Sequence, residues 1–425
     1  MPERRCDLVA AIDFGNTNSR IAVVEGDGQA TVIRNYHGDT VTPSVALLEE
    51  NGDWLVGMAA RWAAASFPDR FVADAPRRLG KDPSFTFRVG NRECLAEHVC
   101  AEILRQLKKD AETQCGLPVT KTLIAIPANL SSAGKSATER AAKLAGFEAV
   151  HLIEACTVAA LAGVGSVVRP RRVLVFDLGG TSLQIAIVQI NDGELRLLSA
   201  GGDMAFGGRD WDDRLVQYAA ERLHEISDEA PCRYPVSHHE MLCEAEKMKL
   251  SFSFMECVSM PSPSRLIRVD VSRCKFEEMT ADLLDKARAS LFELFERAYR
   301  DRECKPRDVD NVVLCGGGVL MPQIQQMVRD VMPQEVVTED PECVVRGAAR
   351  YAEAIGLNSA TRAPDNSGAT KPDERMSQLD ENVQFTVYRP RAVRPEKWYD
   401  VLAFAHLDEL PEDAEDDRPD PVEEI

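Results

Sequence analysis

The chain has 425 residues, 44% of them apolar and 28% charged, enough to bury a sizeable core in two or three ordinary domains or one large bilobed one. Fifty Lys and Arg against 69 Asp and Glu leave a net charge of −19, which argues against a general binder of nucleic acid or of an anionic membrane. Ten of the acids and one Arg fall within residues 408–425. Twelve cysteines are spread with no CxxC pair, so zinc and dithiol redox chemistry are not indicated, and a reduced, cytoplasmic setting is expected. No apolar run reaches the roughly 18–20 residues that span a bilayer. Arg4-Arg5 before Leu8–Ile12 is a poor signal sequence, because Asp13 cuts the apolar stretch short.

Strands and helices alternate over the first 357 residues, which predicts an α/β fold. Leu8–Ile12 reads as a buried strand, Ile21–Val24 as the next, and Gly26-Asp27-Gly28 as a hairpin turn into Ala30–Ile33. Residues 94–115 carry helical periodicity. Lys121–Ile126 is a strand ending at Pro127, and Ser132–Ala145 an Ala-rich helix closed by Gly146. The opening pattern then returns. Val173–Thr181 is a strand running into a glycine turn, Leu183–Ile190 follows as a strand, and Asn191-Asp192-Gly193 marks another hairpin. An offset of 164 matches Asp13 with Asp177, Gly15 with Gly179 and Thr17 with Thr181, and also Ile21, Ala22 and Val24 with Ile185, Ala186 and Val188. So long an offset suggests two similar lobes, each opening with strand–turn–strand around Asp-x-Gly-x-Thr.

Past Gly356 the composition shifts. Residues 358–380 read as a polar linker, 381–407 as a short strand and helix extension, and 408–425 as an acidic tail without fixed structure. Lobe I is expected over 7–168, and lobe II over 169–357 with a closing helix that returns to lobe I.

Glycine turns after a strand expose backbone N–H groups that cradle phosphate oxygens. An acid just before such a turn repels phosphate unless a divalent cation lies between them. Asp13 and Asp177 therefore make sense together as outer ligands of a hydrated Mg²⁺, with Thr17, Thr181 and Ser182 offering hydroxyls. Two further glycine clusters support the reading: Gly316-Gly317-Gly318 after Val312–Cys315, and Gly207-Gly208 before a helix at Asp210–Leu223. His238-His239 has no partner at metal spacing and reads as a surface turn. Trp54, Trp62 and Trp211 read as packing residues.

These segments resemble the nucleotide-binding domain of the 70-kilodalton heat-shock chaperone family, in the actin and sugar-kinase ATPase superfamily. The first phosphate loop of that family is similar to AIDFGNTNSRIAVVE, followed by TPSVALL (Thr42–Leu48); its second is similar to VLVFDLGGTSLQIAIVQI. LIAIPANLSSAGKSATERAAKLAGF, GGDMAFGGRDWDDRLV, CEAEKMKLS, VVLCGGGVLMPQIQQMV and PECVVRGAA resemble later segments in the family's order, so that the match covers about residues 7–357. The resemblance implies a bilobed actin-like ATPase, a ribonuclease H-like pseudo-repeat with a cleft, that takes ATP or ADP with Mg²⁺.

Carried over by position, Gly15, Asn16, Thr17 and Asn18 would hold phosphates from one lobe, and Gly179, Gly180, Thr181 and Ser182 from the other. Gly207 and Gly208 would approach the phosphate–ribose side. Glu244, Lys247 and Ser251 would contact ribose and adenine, with Gly316, Gly317 and Gly318 packed near the nucleoside. The family's catalytic Lys falls at Pro76 or at Arg77, depending on a one-residue gap. Arg77 keeps a positive charge near the γ-phosphate but is a poor proton relay. The family's Glu-Pro-Thr is Ala155-Cys156-Thr157, its second-loop Asp is Gln184, and its two adenine-stacking Arg residues are Met248 and Leu320. Nucleotide binding survives these departures better than fast hydrolysis does.

The leading expectation is a slow ATP-hydrolysing module whose lobes close on nucleotide. The alternative is a nucleotide-gated interaction module that barely hydrolyses; a small-metabolite kinase or a filament protein is a weaker reading. A cochaperone or nucleotide-exchange factor is an expected class of partner. The chain is not expected to act as a complete peptide-holding chaperone, because no run of consecutive leucines occupies the linker. Val383–Leu407 is expected to dock on the lobes or on a protein partner.

Overall fold

The computed structural model describes residues 8–24, 30–81, 86–164, 169–191, 194–227, 235–264, 267–301 and 304–357. The Gly26–Gly28 turn, Asp192-Gly193 and all expectations beyond Leu357 lie outside them.

The first half runs β1 (Leu8–Phe14), β2 (Asn18–Val24), β3 (Ala30–Val32), β4 (Thr42–Pro43), β5 (Ala46–Leu48), β6 (Trp54–Val56), α1 (Met58–Ala63), β7 (Phe71–Val72), β8 (Thr86–Val89), β9 (Arg92–Leu95), α2 (Ala96–Cys115), β10 (Val119–Ile126), α3 (Ser132–Leu144), β11 (Ala149–Glu154) and α4 (Ala155–Val164). The second half runs β12 (Arg171–Leu178), β13 (Leu183–Asn191), β14 (Glu194–Asp203), α5 (Gly208–Ser227), α6 (Pro235–Ser251), β15 (Cys257–Pro261), β16 (Arg268–Ser272), α7 (Arg273–Met279), α8 (Ala281–Arg300), β17 (Asn311–Cys315), α9 (Pro322–Val331), β18 (Val336–Thr338) and α10 (Cys343–Ala354). His238 sits within α6 and not in a surface turn. The sequence favoured a turn because adjacent histidines flanked by Pro, Ser and Glu carry no apolar period; the segment is nonetheless helical.

Two sheets repeat one topology. Their orders are β3-β2-β1-β10-β11 and β14-β13-β12-β17-β18, antiparallel in the hairpins and parallel beyond. The 164-residue offset read from six identities thus extends to strand order and direction. It also extends to register: Asp13 stands opposite Arg20, and Asp177 opposite Gln184.

Both faces of each sheet are covered, which is why the strands read as continuous apolar runs. Ala10, Ile12 and Phe14 face α2 and α3, while Leu174, Phe176 and Leu178 face the α5, α6, α8 and α9 side. The alternate residues, Val9 and Ala11 in one sheet and Val173 and Val175 in the other, share one central core with α4 and α10. The two helices exchange sheets: α4, which follows the first half's last strand, packs on β12, β13 and β17, and α10 packs on β1, β2 and β10. Covered all round, α4 (ACTVAALAGV) shows no amphipathic stripe. The helices touch at Gly347, where an added Cβ would lie 2.1 Å from the Val158 carbonyl oxygen.

Candidate functional site

Asp13 and Asp177 are the penultimate residues of equivalent strands, one from each half, and lie close enough for the charge of Asp13 to act on Asp177. The two glycine turns meet. A Cβ on Gly180 would lie 2.5 Å from Thr17 Oγ1, so only a glycine admits this approach of one loop to the other. The first turn is fastened from outside by Ser44, whose N–H donates to the Thr17 carbonyl (2.8 Å) and whose hydroxyl donates to the Gly15 carbonyl (2.7 Å). Ser44 also shares a buried 2.8 Å hydroxyl contact with Ser19. The second turn closes through Gly179 N–H to the Ser182 carbonyl (2.9 Å).

Gly207 and Gly208 lie directly on the second turn. Gly208 and Arg209 donate their N–H groups to the carbonyls of Gly179 (2.9 Å) and Gly180 (2.7 Å), and a Cβ on Gly207 would lie 2.6 Å from the amide nitrogens of both Thr181 and Ser182. Gly316 completes the floor with φ +85°, a left-handed conformation, and a Cβ there would fall 2.5 Å from Asp177 Oδ1. Gly318 packs on the Leu178 side chain, whereas Gly317 faces open space.

The electrostatics suit a cation. Burial pushes the Asp177 carboxyl up to about 7; the charge of Asp13 adds to this and Arg20 opposes it. Burial likewise pushes Asp13 up to about 6 against the pull of Arg20, which approaches to 3.9 Å. Two acids whose ionisation burial opposes, one of them also facing the other's charge, are relieved when a divalent ion enters. Thr17 Oγ1, Thr181 Oγ1, Gln184 Oε1 and Arg20 Nε are all buried without a hydrogen-bond partner, in a protein class where such atoms are ordinarily satisfied. Carboxylate, hydroxyl and amide oxygens are the donors a hard cation and its waters take. Among the described residues no three His, Cys, Asp or Glu form a closed metal cage. Such a set of oxygens fits a hydrated hard cation.

Helix α6 carries Glu244, Lys247 and Ser251. Lys247 donates to Glu244 at 3.0 Å, and the Ser251 hydroxyl donates to the Lys247 carbonyl at 2.8 Å. Met248 is 5% exposed and packs in the core of the second half, so its side chain is not on the open face. Leu320 is half-buried, its carbonyl accepting from Ser253 (2.8 Å). Pro76 is buried in a 3-10 turn, Pro76–Arg78, while Arg77 faces a cavity beside Asn16. Ala155 brings no carboxylate; Glu154, one residue earlier, pairs with Lys135 at 3.2 Å.

Three arrangements were not foreseen from the sequence. Lys249, 7% exposed, donates to the Gly208 carbonyl (2.8 Å) and pairs with the buried Asp212, thereby tying α6 to the Gly207-Gly208 turn. Burial pushes the Asp212 carboxyl up to about 6, with Lys249 opposing. Arg61 of α1 reaches across to Glu246 and Cys243 of α6, and Arg209 to Asp74 at 3.6 Å, so that ion pairs join the two halves. Arg20 was legible only through the repeat, as the counterpart of Gln184.

The family profile described as Hsp70 protein matches residues 9–361. Chaperone protein DnaK of Thermotoga neapolitana is 32% identical over 379 residues, which cover 86% of this chain and 62% of that protein. The DnaK proteins of Thermotoga petrophila and Thermotoga maritima match with the same identity and coverage. The chain thus spans 62% of the length of the curated relatives it matches.

Proposed function

The chain belongs to the Hsp70 protein family, and on that premise we propose that it binds ATP and ADP with Mg²⁺ between its lobes and hydrolyses ATP slowly. The observation that carries this reading is that Asp13 and Asp177 hold equivalent register positions beside two glycine turns that meet at Thr17 and Gly180. Asp13 and Asp177 hold the metal's waters. Gly15–Asn18 and Gly179–Ser182 receive the phosphates through backbone N–H groups, and Gly207 and Gly208 limit the phosphate–ribose side. Glu244, Lys247 and Ser251 meet the ribose and adenine, opposite Gly316–Gly318. When bound, the metal neutralises phosphate charge and polarises the terminal phosphoryl group. Arg77 supplies positive charge toward the γ-phosphate end without serving as a proton relay.

Nucleotide is then positioned to bias lobe closure, since both loops and the bridging pairs of Arg61 and Arg209 span the two halves. A partner of the cochaperone or exchange-factor class, acting in a reducing cytoplasm, would read that closure. A second reading, a nucleotide-gated interaction module with negligible turnover, is favoured by three departures: Pro76 or Arg77 where the catalytic Lys is expected, Ala155 without a carboxylate, and Gln184 in place of an acid. Single-turnover hydrolysis measured beside nucleotide affinity separates the two. Binding with measurable single-turnover cleavage supports the enzyme; binding with none supports the gated module. Absence of any thermal shift with Mg-ATP removes both.

A further inference from the structure

Asp13, Arg20, Asp177 and Gln184 hold matched places in the two halves. Asp13 stands opposite Arg20 across β1 and β2, and Asp177 opposite Gln184 across β12 and β13. Residues directly opposite on antiparallel strands project from the same face of a sheet. On that face the next residues inward, Ala11 and Ala22 in one half and Val175 and Ala186 in the other, lie in the central core between the sheets. The four polar residues therefore cap this core, two from each half.

Arg20 is the odd member. The repeat puts an uncharged amide at its place in the second half, whereas the first half encloses a permanently charged guanidinium with two acids. Its side chain is 15% exposed, so water screens the charge poorly. Nη1 stays 3.9 Å from Asp13 Oδ2, an ion pair too long for a hydrogen bond. Arg20 Nε and Gln184 Oε1 are both buried without a hydrogen-bond partner. The same positive charge also acts on Asp177, across the halves.

The charges decide what this group does. Two ionised acids alone are neutralised by one divalent ion, so a bare pair would take free metal and keep no excess charge for a phosphate. With Arg20 in place, the acids leave one negative charge uncompensated. A divalent ion entering alone would then make the site net positive beside a fixed guanidinium, which is unfavourable at short range and under poor screening. A divalent ion entering with a phosphate brings its own counter-charge.

We propose that Arg20 is a specificity-determining residue of the site: its fixed charge keeps a free divalent cation out of the Asp13 and Asp177 pair and admits the cation only together with a phosphate-bearing ligand. The proposal rests on the nucleotide reading above and adds to it an order of entry, metal with nucleotide and not before it.

Titration of the nucleotide-free full chain with Mn²⁺ at pH 8, followed by the electron paramagnetic resonance signal of the free ion, tests it beside calorimetric titration with ADP in saturating Mg²⁺. Arg20→Gln, which copies Gln184, is expected to bind one Mn²⁺ at least about tenfold more tightly than the parent, and Mg-ADP at least about tenfold more weakly. Arg20→Lys keeps the charge and should stay near the parent in both, and adding Asp177→Asn to Arg20→Gln should remove the extra ion. Opposite movement of the two affinities is the signature, since a merely structural role would weaken both. The proposal is overturned if Arg20→Gln binds Mn²⁺ no more tightly than the parent, if both affinities fall together, if Arg20→Lys behaves as Arg20→Gln does, or if the extra ion survives Asp177→Asn. Should Arg20→Gln fail to fold, Gln184→Glu decides, because it adds a negative charge without touching Arg20: tighter Mn²⁺ uptake than the parent's supports the proposal, and uptake no tighter overturns it. Failure of the parent to bind Mg-ADP would count against the nucleotide reading, and the Mn²⁺ comparison would still judge Arg20.

Discussion

Arg20 and Gln184 occupy the same register position in two copies of one hairpin, each directly across from the acid that ends its neighbouring strand. One acid therefore has a cation beside it and the other an amide. Asp13 is held near 6 and Asp177 near 7.

From this follows a pH dependence of stability. Both folded values lie above the ordinary 3.8, so the folded state binds more protons than the unfolded chain between about 4 and 7. Their contribution to stability is present at low pH and is lost as pH rises through about 6 to 7. Asp177→Asn is therefore expected to stabilise the nucleotide-free protein by about 1–3 kcal/mol more at pH 8 than near pH 3, below the unfolded value. Denaturant unfolding at the two pH values checks it. Equal effects at both would show that Asp177 is not strained by burial.

Lys249 and Asp212 form a buried pair that also carries the Gly208 carbonyl. Removing one partner strands the other: Lys249→Met should cost about 3–5 kcal/mol, and Lys249→Met with Asp212→Leu should cost less than Lys249→Met alone. The unfolding free energies of the parent, the two single variants and the double variant measure the coupling.

At the contact of α4 with α10, Gly347 leaves no room for a side chain. Gly347→Val should destabilise by about 2–4 kcal/mol, because it pries apart helices wedged between two sheets. Gly317, which faces open space, should accept Ala with little change in apo stability, and the pair of melting curves makes the comparison.

Turnover is expected to respond to position 77. Arg77→Lys should raise single-turnover hydrolysis more than it changes nucleotide affinity, with Ala155 and Gln184 limiting the gain. A parent rate unchanged by the substitution would remove Arg77 from the terminal-phosphate end.

Much of the arrangement was legible in the residues themselves. Asp-x-Gly-x-Thr written twice marked both turns, and the shared offset carried through to strand order, because a buried two-faced sheet leaves little freedom in register. The packing of α4 on the second sheet was less legible: an apolar, unstriped helix says that it is covered on all sides but not by which sheet. Lys249 was hidden for a different reason. A lysine on a helix is ordinarily solvated, and nothing in local sequence shows that α6 turns this one toward Asp212, 37 positions earlier. Met248 misled in the opposite sense, since its place in the motif suggested an open face while its apolar side chain joined the core.

On the proposed reading, Asp13 and Asp177 jointly hold the cation through which nucleotide binds between the lobes. Calorimetric titration of ATP into the parent, Asp13→Asn and Asp177→Asn, each with Mg²⁺ and with chelator, tests it most directly. One-site binding to the parent is expected to weaken markedly without Mg²⁺ and to stabilise it by about 2.7 kcal/mol at a hundredfold excess over Kd, with that Mg²⁺ dependence lost in both folded variants. ATP binding by both variants with the parent's affinity and the parent's Mg²⁺ dependence, or no binding by a folded parent, would contradict it.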